Sequence, residues 1–167
     1  KLDGATGSVV AGGKYNTIYD DYSGILGGEF NKINTAFDPN PMALNGNNFV
    51  GGGSNNEILD NCHSGVITGG RNNINSQYFG FIGGGASNSI GQTGNSSLIV
   101  GGSANRIFSK TNRGIIVGGK DHQLTGDDSI IVGGDTNSIT GSLNTIVGGT
   151  NNQMTGTGSF IGGGLNN

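Results

Sequence analysis

Ten Gly-Gly pairs, running from Gly12-Gly13 to Gly163-Gly164, constrain this chain more than any other feature. The first glycines of successive pairs lie 15, 25, 17, 15, 17, 17, 15, 15 and 15 residues apart. A period near 15 residues is too short for a helical repeat. With two short extended segments per period, it fits one coil of a parallel β-solenoid, rising about 4.8 Å per turn.

The residues around each pair fall into rows. Two positions before the first glycine stand Val10, Ile25, Val50, Ile67, Ile82, Ile99, Ile116, Ile131, Ile146 and Ile161. All are Val or Ile, whose stiff β-branched side chains favour extended backbone. Four positions after it stand Asn16, Asn31, Asn56, Asn73, Asn88, Asn105, Asn137, Asn152 and Asn167, with His122 in place of one Asn. Two residues further on, the row is aliphatic from Ile18 to Met154, except for Asn75. Composition alone would point elsewhere, since 36 of 167 residues are glycine and only 32% are hydrophobic. Periodic placement of Val and Ile separates this chain from a disordered tract. The Asn row reads either as an inward ladder of stacked amides or as a set of left-handed turn residues beside glycine.

Charges agree with stacked turns. Lys14 and Glu29, Lys32 and Glu57, and Lys120 and Asp135 each occupy equivalent positions in adjacent repeats. The strand before the glycines is apolar on both of its faces, as in Leu98 and Val100, Ile115 and Val117, and Ile130 and Val132. Where the first of these outer positions is Phe49, Phe81 or Phe160, the second is Gly51, Gly83 or Gly162, which reads as volume compensation on a packed face. A strand apolar on both faces is buried on both faces. A single narrow solenoid can cover only one of them, so identical chains packed around an axis are expected; we take the assembly as a homotrimer, intertwined or side by side, although the strand pattern does not itself fix the number.

The unit IIVGGDTNSITGSLN, residues 130–144, resembles the head repeat of YadA-type trimeric autotransporter adhesins. It is also similar to Gly-Gly-x-x-Asn repeats in tail fibres of bacterial viruses. The resemblance spans residues 9–167 and departs from the bacterial heads by doubling the glycine and by using Asn where they commonly have Ser. It implies a left-handed β-roll, a trimer, and a role as spacer or receptor-binding tip on a cell or virion surface. It implies no catalytic residue.

Departures from the period all fall at one corner, between the second aliphatic row and the next strand. Residues 34–47 form the longest insertion, and LDNCHS, GQTGNS and FSKTNR are shorter ones. Corner insertions on a solenoid commonly mark its binding side. Aromatic residues concentrate there: Tyr19, Tyr22, Phe37, Tyr78, Phe79 and Phe108 are the candidate receptor-binding set, weighed against a role in covering seams between chains. The chain thus divides into an irregular part, residues 1–113, and a regular part, residues 114–167, within one domain. We expect it to be a segment of a longer fibre protein.

Other chemistry finds little support. A net charge of −3 offers no basic footprint for nucleic acid, and no apolar run approaches the length of a membrane span. Cys62 is the single cysteine. Cys62 and His63 with Asp60 lack a second cysteine or a spaced histidine pair, so no metal is expected. GIIVGGK, ending at Lys120, misses a phosphate loop because Asp121 stands where Ser or Thr is needed. Asp20-Asp21 and Asp127-Asp128 read as solvated corners, and Asn95-Ser96-Ser97 is a glycosylation sequon.

The resulting expectation is an all-β parallel solenoid of about ten coils, with no enzymatic activity and no cofactor. Its expected place is extracellular, on a virion or bacterial surface, with a cell-surface glycan or protein as receptor. The competing reading is a monomeric secreted solenoid such as an ice-binding protein. Thr68, Thr136, Thr145 and Thr150 fall in different rows, however, and do not form the flat repeated array such a surface needs.

Overall fold

The computed structural model of the chain describes residues 1–2, 5–33, 46–59 and 62–167. Within them lie nineteen strands of two residues each and no helix. The strands before the glycine pairs, Val9–Val10 through Phe160–Ile161, form a ten-stranded parallel sheet. Those following the Asn row, Thr17–Ile18 through Gln153–Met154, form a nine-stranded parallel sheet. The architecture is therefore the expected β-solenoid, but the ten glycine pairs bound about nine complete turns rather than ten.

Register is the same wherever the spacing changes. Gly24 pairs with Phe49 across the 25-residue unit, Leu98 with Ile115 across a 17-residue one, and Ile130 with Thr145 across a 15-residue one. Insertions are thus absorbed outside the ladders, since a one-residue slip would turn the aliphatic row outward. Single-residue parallel bridges add a third ladder, from Lys14 and Glu29 to Thr150 and Leu165.

The interior is narrow and strictly layered. Both inward aliphatic rows are fully buried along most of the roll, from Ile18 and Ile25 to Ile139 and Ile146. The Asn row also points inward, and its side chains form a ladder. Asn56 illustrates the unit: its Nδ2 donates to Gly52 O and Gly70 O, each at 2.9 Å, while its Oδ1 accepts the backbone N–H of Asn73 at 3.1 Å. Buried amides in this arrangement satisfy donors and acceptors that an apolar core would strand.

Left-handed backbone belongs to the residue before the Asn, not to the Asn itself. Tyr15, Phe30, Asn55, Asn72, Ser87, Ala104, Asp121, Thr136, Asn151 and Asn166 all have φ between 53° and 60°. A second bend on the opposite side of the coil runs from Tyr22 and Asn47 to Leu143, again left-handed. It is followed by a second inward polar row that includes Ser8, Ser23, Asn48, Ser97, Ser129 and Asn144. Each coil is therefore two similar half-turns: a bend, an inward polar residue, then an inward aliphatic.

The two glycines of each pair have different reasons to be there. The second has φ of +82° to +111°, and at Gly28 an added Cβ would lie 2.0 Å from the carbonyl oxygen of Gly53 in the next turn. Both strain and contact require glycine. The triplets differ again: Gly52, Gly84 and Gly163 have φ of 149°, 140° and 153°. A Cβ on Gly51 or Gly83 would meet the carbonyl oxygen of Thr68 or Val100 at 2.3 Å. Volume compensation is still part of the account, because Phe81 Cε1 lies 3.3 Å from where a Cβ on Gly83 would stand.

Candidate functional site

The outer face of the ten-stranded sheet is a regularly patterned apolar surface. Val9, Leu26, Val100, Val117, Val132, Val147 and Phe160 are all exposed on it, with Val117 at 40% and Leu26 at 56%. Phe49, Val66, Phe81, Leu98, Ile115 and Ile130 alternate with them and are half-buried. No charged residue stands in either outward row of this sheet among the described residues. The outer face of the other sheet is mostly polar, with Lys32, Glu57, Arg106, Gln123, Ser138 and Gln153 along one row and Ile74 as that row's apolar member.

The aromatic candidates separate into small groups. Tyr19 is exposed and lies under the Lys32 ammonium, 5.8 Å from the ring centre. Phe108 is half-buried beneath the Arg106 guanidinium, at 4.4 Å. Tyr22 and Phe79 occupy the second bend, both left-handed and both exposed. Phe79 meets His63 edge to face at 5.9 Å, and Tyr78 is its exposed neighbour. Phe37 lies outside the described residues. The largest of these groupings is therefore Tyr78, Phe79 and His63.

One aromatic pair was missed by the corner-based reading. Tyr15 and Phe30 stack across adjacent turns, ring centres 4.8 Å apart and planes 16° from parallel. Both are exposed and both have left-handed backbone, where a bulky residue is uncommon. Their signal was available: the same row elsewhere contains only small or polar residues, such as Asn55, Ser87 and Ala104. A shallow groove of about 140 Å³ follows this row near the other end, lined by Asp121, Gln123, Thr136, Ser138, Asn151 and Gln153.

Titratable groups are engaged in structure. Cys62 is fully buried and donates to Gln77 O at 3.0 Å; burial, then the nearby Asp20 carboxylate, pushes its thiol up to about 12. Such a thiol is unreactive at neutral pH. Asp20 is itself buried and accepts from Asn48 Nδ2 at 2.6 Å and Ser23 Oγ at 3.0 Å. Lys32 and Glu57 form the expected ion pair at 3.4 Å, whereas Lys120 turns to the adjacent Asp121 at 3.3 Å. Arg113 grips Asp128 in two-point fashion, at 2.5 and 2.7 Å, which holds the Asp128 carboxyl below its usual range. Among the described residues, no three His, Cys, Asp or Glu side chains are grouped as a metal site.

No protein-family model matches this chain, and no curated protein sequence matches it.

Proposed function

We propose that this chain is a non-enzymatic segment of a homotrimeric surface fibre, a rigid spacer that also carries attachment to a glycan or protein receptor. Its place would be extracellular, on a virion or a bacterial cell surface. The observation that carries this reading is the uncharged apolar outer face of the ten-stranded sheet, repeated in nearly every turn. Long exposed apolar faces are uncommon on monomeric proteins and mark interaction surfaces. Nine steps of about 4.8 Å between ten parallel strands give a rod of about 43 Å, long enough to hold an attachment surface away from its base. The inward side chains fill the coil with aliphatic groups and ladder-bonded amides, which suits a rigid shaft rather than a substrate cavity.

Light scattering on the purified chain tests the assembly. The expected mass is about three times the 16.8 kDa of one chain, and a folded species at 16.8 kDa would overturn it. For attachment, Tyr78 and Phe79 are the residues to replace with Ala, with binding read on a panel of glycans and cell surfaces. Weakened binding at an unchanged melting temperature supports the role, and unchanged binding removes this patch.

A further inference from the structure

At six of the ten pairs the first glycine has no explanation inside the chain. At Gly27, Gly69, Gly101, Gly118, Gly133 and Gly148 the backbone lacks positive φ, and an added Cβ would meet nothing within 4 Å. Alanine at such a position ordinarily stabilises a protein by about 0.4–1 kcal/mol, because glycine loses more backbone freedom on folding. The chain nevertheless places glycine there in turn after turn. This row borders the outer apolar face, following directly on Leu26, Thr68, Val100, Val117, Val132 and Val147.

We infer that the glycine row and the adjoining outer face of the ten-stranded sheet form the seam between copies of this chain, with glycine keeping the line clear for a neighbour's close approach. The inference rests on the proposed self-association and assigns it to one face. Two features select a second copy as the occupant. The apolar rows continue from Val9 to Phe160, so whatever covers them must be as long as the roll and repeat at its rise, which a copy in register does. The face also has no charge to engage a charged partner, while Lys32, Glu57 and Arg106 stand on the opposite sheet.

Gly118→Glu and Gly133→Glu, combined in the full chain, provide the test. Side chains there enter open space, so the variant should retain the β-sheet circular dichroism of the parent and yet weaken assembly at least tenfold. Ser138→Glu with Gln153→Glu, on the outer face of the other sheet, should leave assembly unchanged. Assembly of the glycine variant at parental strength overturns the seam while leaving self-association standing. A monomeric parent chain overturns both. Should the glycine variant fail to fold, cysteine cross-linking in the parent decides: Val117→Cys should link chains under mild oxidation and Ser138→Cys should not. The reverse pattern overturns the seam, and the buried native Cys62 stays out of the reaction.

Discussion

His122 Nδ1 accepts the backbone N–H of Asn137 at 3.1 Å, so this histidine takes the acceptor role that Asn side chains fill elsewhere in the ladder. The ring is fully buried, and its Nε2 has no hydrogen-bond partner. An Asn there would instead donate to the glycine carbonyls on either side, as Asn137 does to Gly133 O and Gly149 O.

Acid should therefore weaken this turn. Burial lowers the His122 pKa, partly offset by the Asp135 and Asp121 carboxylates. Protonation would also set a ring N–H against the Asn137 N–H. With the folded value below the unfolded one of about 6.5, the unfolded chain takes up the proton first. Stability is then complete above about pH 6.5 and falls as the pH drops towards the folded value. His122→Asn should raise stability by about 1 kcal/mol and flatten the slope between pH 7 and 5, as read from melts across that range.

The glycines of one pair should respond oppositely to a methyl group. Gly134 has φ +97°, and a Cβ there would lie 2.1 Å from Gly149 O, so Gly134→Ala should cost more than about 2 kcal/mol. Gly133→Ala meets nothing within 4 Å and should keep the fold within about 1 kcal/mol of the parent. Denaturant titration of the two variants side by side checks the contrast.

The two polar rows should differ in tolerance. Asn137→Ala removes donations to Gly133 O and Gly149 O and the acceptor for Asn152 N–H, a loss of about 3 kcal/mol at about 1 kcal/mol per bond. Asn144→Ser should cost only about 1 kcal/mol. Ser Oγ can accept from Ser159 N–H as Ser129 Oγ already does from Asn144 N–H, leaving the Gly156 contact as the loss. Equal losses in chemical denaturation would contradict the ladder account.

Asn75 and Gly80 should be coupled. Asn75 enters the aliphatic row, donates to Gly80 O at 2.7 Å, and would lie 2.3 Å from a Cβ on Gly80. Gly80→Ser alone should lose about 2 kcal/mol or more, and adding Asn75→Ile should restore over half of it, since neighbours sharing one space do not add independently. A double-mutant cycle on unfolding free energy measures the coupling.

Much of this fold is legible in the chain because its rows are nearly invariant. The Val/Ile row and the Asn row each keep one chemistry through almost every turn, so the strand register follows from spacing, whereas the inward direction of the Asn side chains was settled by their bonds to the glycine carbonyls. The bends are not legible in the same way. Tyr15, Asn55, Ala104 and Thr136 share one left-handed backbone but no side-chain chemistry, because the Asn ladder and the glycine carbonyls around them set that conformation. The second polar row is hidden for a related reason: Gly65, Gly80 and Gly114 interrupt it. Beside Gly80, Gln77 provides the acceptor for Ser97 N–H at 3.0 Å from a neighbouring position.

Surface pairings depended on geometry that spacing does not encode. Lys120 was in register with Asp135 yet reached Asp121, because a long flexible side chain chooses among nearby carboxylates by local direction. Tyr15 and Phe30 were 15 residues apart and became stacked rings through the rise of one turn. By itself the sequence determined the period and the parallel stacking, since a repeat of this length with two short extended segments has few other folds. Only the tertiary structure decided which strand face lines the coil, and that at six pairs one glycine is required within the chain and the other is free, because both depend on distances between neighbouring turns.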